Sequence, residues 1–241
     1  MSKKYKICLD PGHGGSDPGA TNGRYLEKDA ALDIVFKLAK LLALAGVDVI
    51  YTRTRDEDVE LHPRTDYANA AGADYFISIH LNSAGAKQAN GIETYAYNTT
   101  VPESYKLAQV VQRALIAATG ANDRGVRTAN FHVLRETTMP AILVETGFIS
   151  NDAEAAALFT DGYQETVATA ICNGICEYLG LEVQKDMKRY NYLMEIPAGE
   201  FRDTIKTLMA EGIIKNSDGQ LDLSYDMIRM FVINNRAGAY K

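Results

Sequence analysis

The chain reads as an α/β protein: a mixed, mostly parallel sheet covered by helices on both faces, followed by a small, mainly helical C-terminal module. Three observations predict this. Strand-like and helix-like apolar patterns alternate up to residue 180. The run Ala141-Ile142-Leu143-Val144 is continuously apolar, as in a strand buried on both faces. Glycines at 46, 72, 120 and 180 each stand where a helical stripe ends.

The elements follow in order. Lys6-Ile7-Cys8-Leu9 is short, partly β-branched and bounded by turn residues, so it reads as a strand. Asp10-Pro11-Gly12-His13-Gly14-Gly15 cannot extend it, because Pro11 lacks a donor and the glycines favour other backbone conformations. From Asp29 to Ala45, Ile34, Val35, Leu38, Leu41 and Leu42 form a helical stripe closed by Gly46. Strands are expected at Val47–Thr52, Tyr75–Ile79 and Gly91–Tyr97, and helices at Arg64–Ala71 and Pro102–Thr119. Residues 121–132 read as a polar loop, and helices near 152–160 and 162–179 complete the domain. The pattern weakens at Glu182–Met187, which sets the domains at 1–181 and 182–241. In the second, Phe201–Glu211 and Ser224–Asn234 read as helices, with Ser224 as N-cap and an extended piece at Gly212–Ile214. About 55 residues fold alone only marginally, so docking or self-association is expected to help this module.

Composition excludes several classes. A net charge of −6 offers no basic field for nucleic acid. No stretch approaches the ~18 apolar residues of a membrane span. Met1–Lys6 runs into the first strand without an apolar signal segment. Cys8, Cys172 and Cys176 suggest no disulfide framework; the last two, four apart, pack on one helix face.

The chemistry-bearing residues stand at strand ends. In sheets of this class, ligands bind beyond the carboxyl ends of the strands. His13, His80 and Glu145 each follow a predicted strand, and Glu27 precedes the long helix. Two histidines and one carboxylate make a three-ligand zinc site with a fourth position for water, and a separate carboxylate serves as general base. A glycine-loop surface histidine, a first-turn helix carboxylate, a hydrogen-bonded strand-end histidine and a structural ion pair are the plain alternatives for His13, Glu27, His80 and Glu145. Asn82 and Arg135 lie near strand ends and are candidate substrate contacts; so is the loop 122–127, while His132 reads more simply as a surface histidine.

Six segments occur in order: Leu-Asp-Pro-Gly-His-Gly-Gly (9–15), Leu-Glu-Lys-Asp (26–29), Thr-Arg (52–53), Ser-Ile-His-Leu-Asn (78–82), Gly-Ile-Glu-Thr-Tyr (91–95) and Val-Glu-Thr-Gly-Phe-Ile-Ser-Asn (144–151). Together, over residues 4–180, they resemble the zinc-dependent N-acetylmuramoyl-L-alanine amidases with a type 3 catalytic domain, a family of bacterial autolysins and phage endolysins. The resemblance implies a six-stranded sheet, with His13, Glu27 and His80 as zinc ligands and Glu145 as the catalytic glutamate. It also implies hydrolysis of the amide between the lactyl group of N-acetylmuramic acid and L-alanine of the peptidoglycan stem peptide. Zinc-activated water would attack, with Glu145 as general base and then acid. Competing readings are a non-catalytic wall-binding protein and a zinc carboxypeptidase acting on another peptidoglycan amide. Residues 182–241 are expected to serve wall targeting or homodimerisation. With no signal segment, the expectation is synthesis in the cytoplasm and action on the wall after release, as for a phage lysin or a mother-cell lysis enzyme.

Overall fold

The computed structural model describes residues 4–98, 101–182, 189–190, 199–210 and 223–224. The chain divides into two compact units, Met1–Val183 and Gln184–Lys241.

The first unit runs β1 (Lys6–Pro11), a hairpin of β2 (Thr21–Asn22) and β3 (Tyr25–Leu26), α1 (Glu27–Leu44), β4 (Asp48–Tyr51), α2 (Leu61–Ala70), β5 (Tyr75–Asn82), β6 (Ile92–Ala96) and α3 (Pro102–Thr119). It continues through β7 (Asp123–Thr128), α4 (His132–Arg135), β8 (Ala141–Phe148), α5 (Asp152–Leu158) and α6 (Asp161–Leu179). Six strands form one sheet in the order β4-β1-β5-β8-β6-β7. The first four are mutually parallel, β6 runs antiparallel to β8, and β7 follows β6 in parallel. The mixed, mostly parallel sheet is therefore present.

Strand alternation divides the core in two. Ile7, Leu9, Ile77, Ile79, Ile142 and Val144 point to one face, where the stripes of α1, α3 and α6 cover them. There Gly174 of α6 lets the helix press against α3: a Cβ at that position would lie 2.8 Å from the Val111 Cα. Each buried Leu or Ile on this face contributes about 1.5–3 kcal/mol of transfer free energy. Cys8, Phe76 and Leu143 point to the other face, under Ala68 of α2 and Val133 and Leu134 of α4. That second layer is thinner, and it leaves the carboxyl ends of β1, β5 and β8 uncovered for a cleft.

Some boundaries differ from the sequence expectation. Helix α1 starts at Glu27 rather than Asp29, and α2 at Leu61 rather than Arg64, so His62 lies in its first turn. The polar loop expected at 121–132 is instead the edge strand β7 followed by the single turn α4. An edge strand has one free side and tolerates polar residues, so it shows no apolar alternation. In the second unit, α7 (Glu200–Ala210) buries Thr204, Ile205 and Leu208, and β9 (Arg189–Tyr190) pairs antiparallel with β10 (Leu223–Ser224). Ser224 is part of that short strand; the expected extended piece at 212–214 and helix body after 224 lie outside the described residues.

A buried charge pair ties the start of the cleft together. Asp10 and Arg64 are 1% and 4% exposed, and Arg64 Nη1 donates to Asp10 Oδ1 at 2.9 Å. Thr52 Oγ1 and Ser78 Oγ also donate to this carboxylate, at 2.6 and 2.7 Å. Burial alone would raise the Asp10 pKa, but the Arg64 charge and these hydrogen bonds outweigh it and hold the carboxyl below its usual range. A carboxylate whose pKa falls on folding adds stability above its unfolded value, near about 3.9, and loses it as pH drops through the folded value. Denaturant unfolding from about pH 6 down to about pH 2 should show that loss, and Asp10→Asn should flatten this part of the curve. At neutral pH, Arg64→Ala should cost about 3–5 kcal/mol, because it leaves Asp10 buried and unpaired.

Candidate metal centre and active site

Where β1 ends, Pro11 and the glycines turn the chain, and His13 adopts a left-handed backbone with φ of 58°. It is the one non-glycine residue among those described with positive φ. Two buried guanidiniums hold it there. Arg53 donates to the carbonyls of Pro11 and Gly12 at 3.1 and 2.8 Å, and Arg64 to those of Pro11 and His13 at 2.8 and 2.7 Å. Gly12 is required by the same packing, since a Cβ there would lie 2.3 Å from the His80 ring.

Three side chains converge at this turn. Glu27, at the first position of α1, is buried. Its Oε1 lies 3.2 Å from His13 Nε2 and 2.9 Å from His80 Nδ1, and accepts from the Leu81 amide at 3.0 Å. Its Oε2 accepts from the Ala20 amide at 2.8 Å. One donor atom from each of His13, Glu27 and His80 lies within 4.8 Å of the others. The His13 and His80 rings meet edge to face at 4.9 Å.

The charges around this triad call for a cation. His13 Nδ1 lies 2.7 Å from Asp17 Oδ2, and donating its proton there leaves a lone pair on Nε2 facing Glu27. Two acceptors face each other unless a proton or metal lies between them. Burial alone would lower the His13 pKa, but Glu27 and Asp17 together push it up to about 9. Against burial, which would raise it, hydrogen bonds from His13 and His80 hold the Glu27 carboxyl far below the carboxylate range. The imidazole–carboxylate donor set is borderline-soft with three ligands, which suits a transition-series dication such as zinc.

Glu145 stands opposite His80 in the β5–β8 register. Burial pushes its pKa up to about 7, with Glu27 and Glu93 adding to the rise and His80 opposing it. Its Oε2 is shielded from solvent and has no hydrogen-bond partner among the described residues. A cleft of about 560 Å³ spans His13, His80 and Glu145, walled by Asp17, Asp58, Leu61, Phe131 and His132.

The four residues singled out at strand and helix ends are thus together. Asn82 is next to them at the end of β5, donating to Glu93 Oε1 at 2.5 Å. Arg135 is not with them: it bonds Asn130 and Glu136 at the surface of α4, away from the residues lining the cleft. His132, read as a surface residue, lines the cleft and meets the His62 ring edge to face at 4.4 Å. Sequence reasoning assigned no role to Glu93, Arg53 or Arg64, although the segments Gly-Ile-Glu-Thr-Tyr (91–95) and Thr-Arg (52–53) contain the first two.

The sequence model of the N-acetylmuramoyl-L-alanine amidase family matches residues 7–177. A sporulation-specific N-acetylmuramoyl-L-alanine amidase of Bacillus subtilis strain 168 is 38% identical over 215 residues, covering 88% of this chain and 82% of that protein. An endolysin of Bacillus phage SPP1 is 42% identical over 184 residues, covering 73% of this chain and 66% of that one. The crystal structure of an N-acetylmuramoyl-L-alanine amidase from Clostridium difficile 630 superposes with a TM-score of 0.72 at 38% identity, covering 77% of this chain and all of that one.

Asp17 orients His13 from outside the triad. Asp17→Ala should therefore weaken divalent-metal affinity about 10- to 100-fold, measured by chelator competition, while the far-ultraviolet circular dichroism stays unchanged. His80→Ala should abolish stoichiometric binding.

Proposed function

The chain belongs to the N-acetylmuramoyl-L-alanine amidase family, and on that premise we propose that it hydrolyses peptidoglycan at the amide joining the muramic acid lactyl group to L-alanine. The observation that carries this reading is the shielded, unpartnered Oε2 of Glu145 beside a triad of two imidazoles and a carboxylate. His13, Glu27 and His80 would hold a zinc ion. When bound, zinc supplies Lewis-acid polarisation and lowers the pKa of a coordinated water toward neutrality.

The chain's own residues do the rest. Glu145, with its pKa raised to about 7, is poised near the working pH. It takes a proton from the attacking water, holds it in the shielded space around Oε2, and delivers it to the L-alanine nitrogen as the amide breaks. Asp17 fixes the ring of His13, and the Arg53 and Arg64 guanidiniums fix its backbone. Leu61 and Phe131 in the cleft wall exclude bulk water from the scissile bond.

No helix among the described residues is long and apolar enough to cross a membrane. We assign action on the wall to enzyme released from the cell in which it is made, as in phage or mother-cell lysis. For residues 182–241 we propose wall targeting or self-association, so truncation near Gly180 should lower wall affinity or change the oligomeric state.

Glu145→Gln should retain zinc by elemental analysis yet lose about 10²–10⁴-fold in the rate of stem-peptide release from purified peptidoglycan. Chelation should abolish wild-type release and zinc should restore it. A metal-free wild type that digests at full rate would overturn the reading.

A further inference from the structure

Beside Glu145 lies a second polar cluster that the hydrolytic chemistry does not use. Glu93 of β6 sits directly opposite Glu145 on the neighbouring antiparallel strand. Side chains paired in this way have Cβ atoms about 4.5–5.5 Å apart. Glu93 is 3% exposed, and four donors surround it. Asn82 Nδ2 and Tyr95 Oη donate to Oε1 at 2.5 and 2.9 Å; Arg124 Nε and Arg127 Nε approach Oε2 at 3.1 and 2.8 Å.

The second arginine is in excess. One guanidinium neutralises one buried carboxylate, and Asn82 and Tyr95 already satisfy the other oxygen. Two cations against this one anion leave Glu93 and its arginines with a net positive charge, one strand away from Glu145. Arg124 lies over the Phe148 ring, at 4.8 Å from its centroid. Arg127 is half exposed, and the contact with Glu93 is its one ion pair among the described residues.

A break in the sheet puts both arginines here. Ile92 pairs with Asp123 but Thr94 with Val126, so three residues of β7 span two of β6, with Gly125 at φ 79° in between. In a regular strand Arg124 and Arg127, three apart, would point to opposite faces. The bulge re-aims them to one carboxylate, the use to which bulges beside active sites are put.

From this we infer that Arg124 and Arg127 form an anion subsite that binds a carboxylate on the peptide side of the scissile amide, at the residue following L-alanine. The inference rests on the amidase reading. The guanidiniums gather on Glu93, one strand spacing of about 4.8 Å from the strand of Glu145. One extended residue covers about 3.3–3.6 Å, so a group here meets the first residue beyond L-alanine. The opposite wall carries Asp17, Asp58 and Glu60. A substrate with carboxylates on its peptide arm is therefore oriented with that arm toward β7 and its sugars toward β1.

Two small probes separate charge from shape: the γ-methylamides of N-acetylmuramoyl-L-alanyl-D-glutamate and of N-acetylmuramoyl-L-alanyl-D-isoglutamine, identical except that the one free carboxylate of the peptide arm becomes a carboxamide. For the zinc-loaded full chain, kcat/KM should favour the acid about tenfold, the low end for a charged hydrogen bond because Arg127 is partly solvated. Arg127→Gln should bring the ratio close to one, and Arg127→Lys should keep part of it. Both probes are also read as competitors of wall digestion, so the ratio is obtained whether or not they are cut. Equal handling of the two by wild type, or a preference that survives Arg127→Gln, overturns the subsite. Digestion of whole peptidoglycan by the same samples reports on the amidase reading separately: no peptide release there overturns that reading, whereas release without acid–amide discrimination overturns the subsite alone.

Discussion

The left-handed turn at His13 depends on two buried guanidiniums. Arg53 and Arg64 grip the consecutive carbonyls of Pro11, Gly12 and His13, and Asp10 neutralises Arg64 from inside the sheet. Without them, a non-glycine residue in this conformation would relax toward negative φ and carry its imidazole away from Glu27. The ion pair is therefore less a source of stability than a means of specifying one backbone path. Its cost is held down because hydroxyls from Thr52 on the β4 side and Ser78 on β5 complete the carboxylate's hydrogen bonds.

That turn also explains the charge arrangement of the cleft. Across the sheet, the strand order β1, β5, β8, β6 and β7 sets His13, which follows β1, then His80, Glu145, Glu93 and the arginine pair in spatial sequence. Glu145 stands between two other carboxylates, Glu27 and Glu93, each satisfied by its own donors. Burial raises the Glu145 pKa, and both neighbours add to it.

The four central residues were legible because each sits at a point of strong punctuation. Pro11 and the glycines end β1, apolar runs end at His80 and Glu145, and Glu27 opens the stripe of α1. Strand ends alone leave plain alternatives for each; the ligand and general-base roles come from the resemblance that the six ordered segments carry. Glu93 was illegible because Gly-Ile-Glu-Thr-Tyr alternates like any half-solvated strand, and its burial comes from partners distant in sequence. Arg124 and Arg127 were read as loop because an edge strand interrupted by a bulge loses the period of two. Arg135 does stand near a strand end, and the turn of α4 directs it to Asn130 and Glu136.

Attack of water on the lactyl carbonyl of muramic acid, with Glu145 managing the proton, would leave the solvent oxygen on the glycan. Digestion of purified peptidoglycan in ¹⁸O-water, followed by mass spectrometry of the fragments, tests it most directly. One ¹⁸O is expected in the lactyl carboxylate of the glycan, with an unlabelled stem peptide bearing a new L-alanine amine. Label in a peptide carboxylate with release of free D-alanine would contradict it.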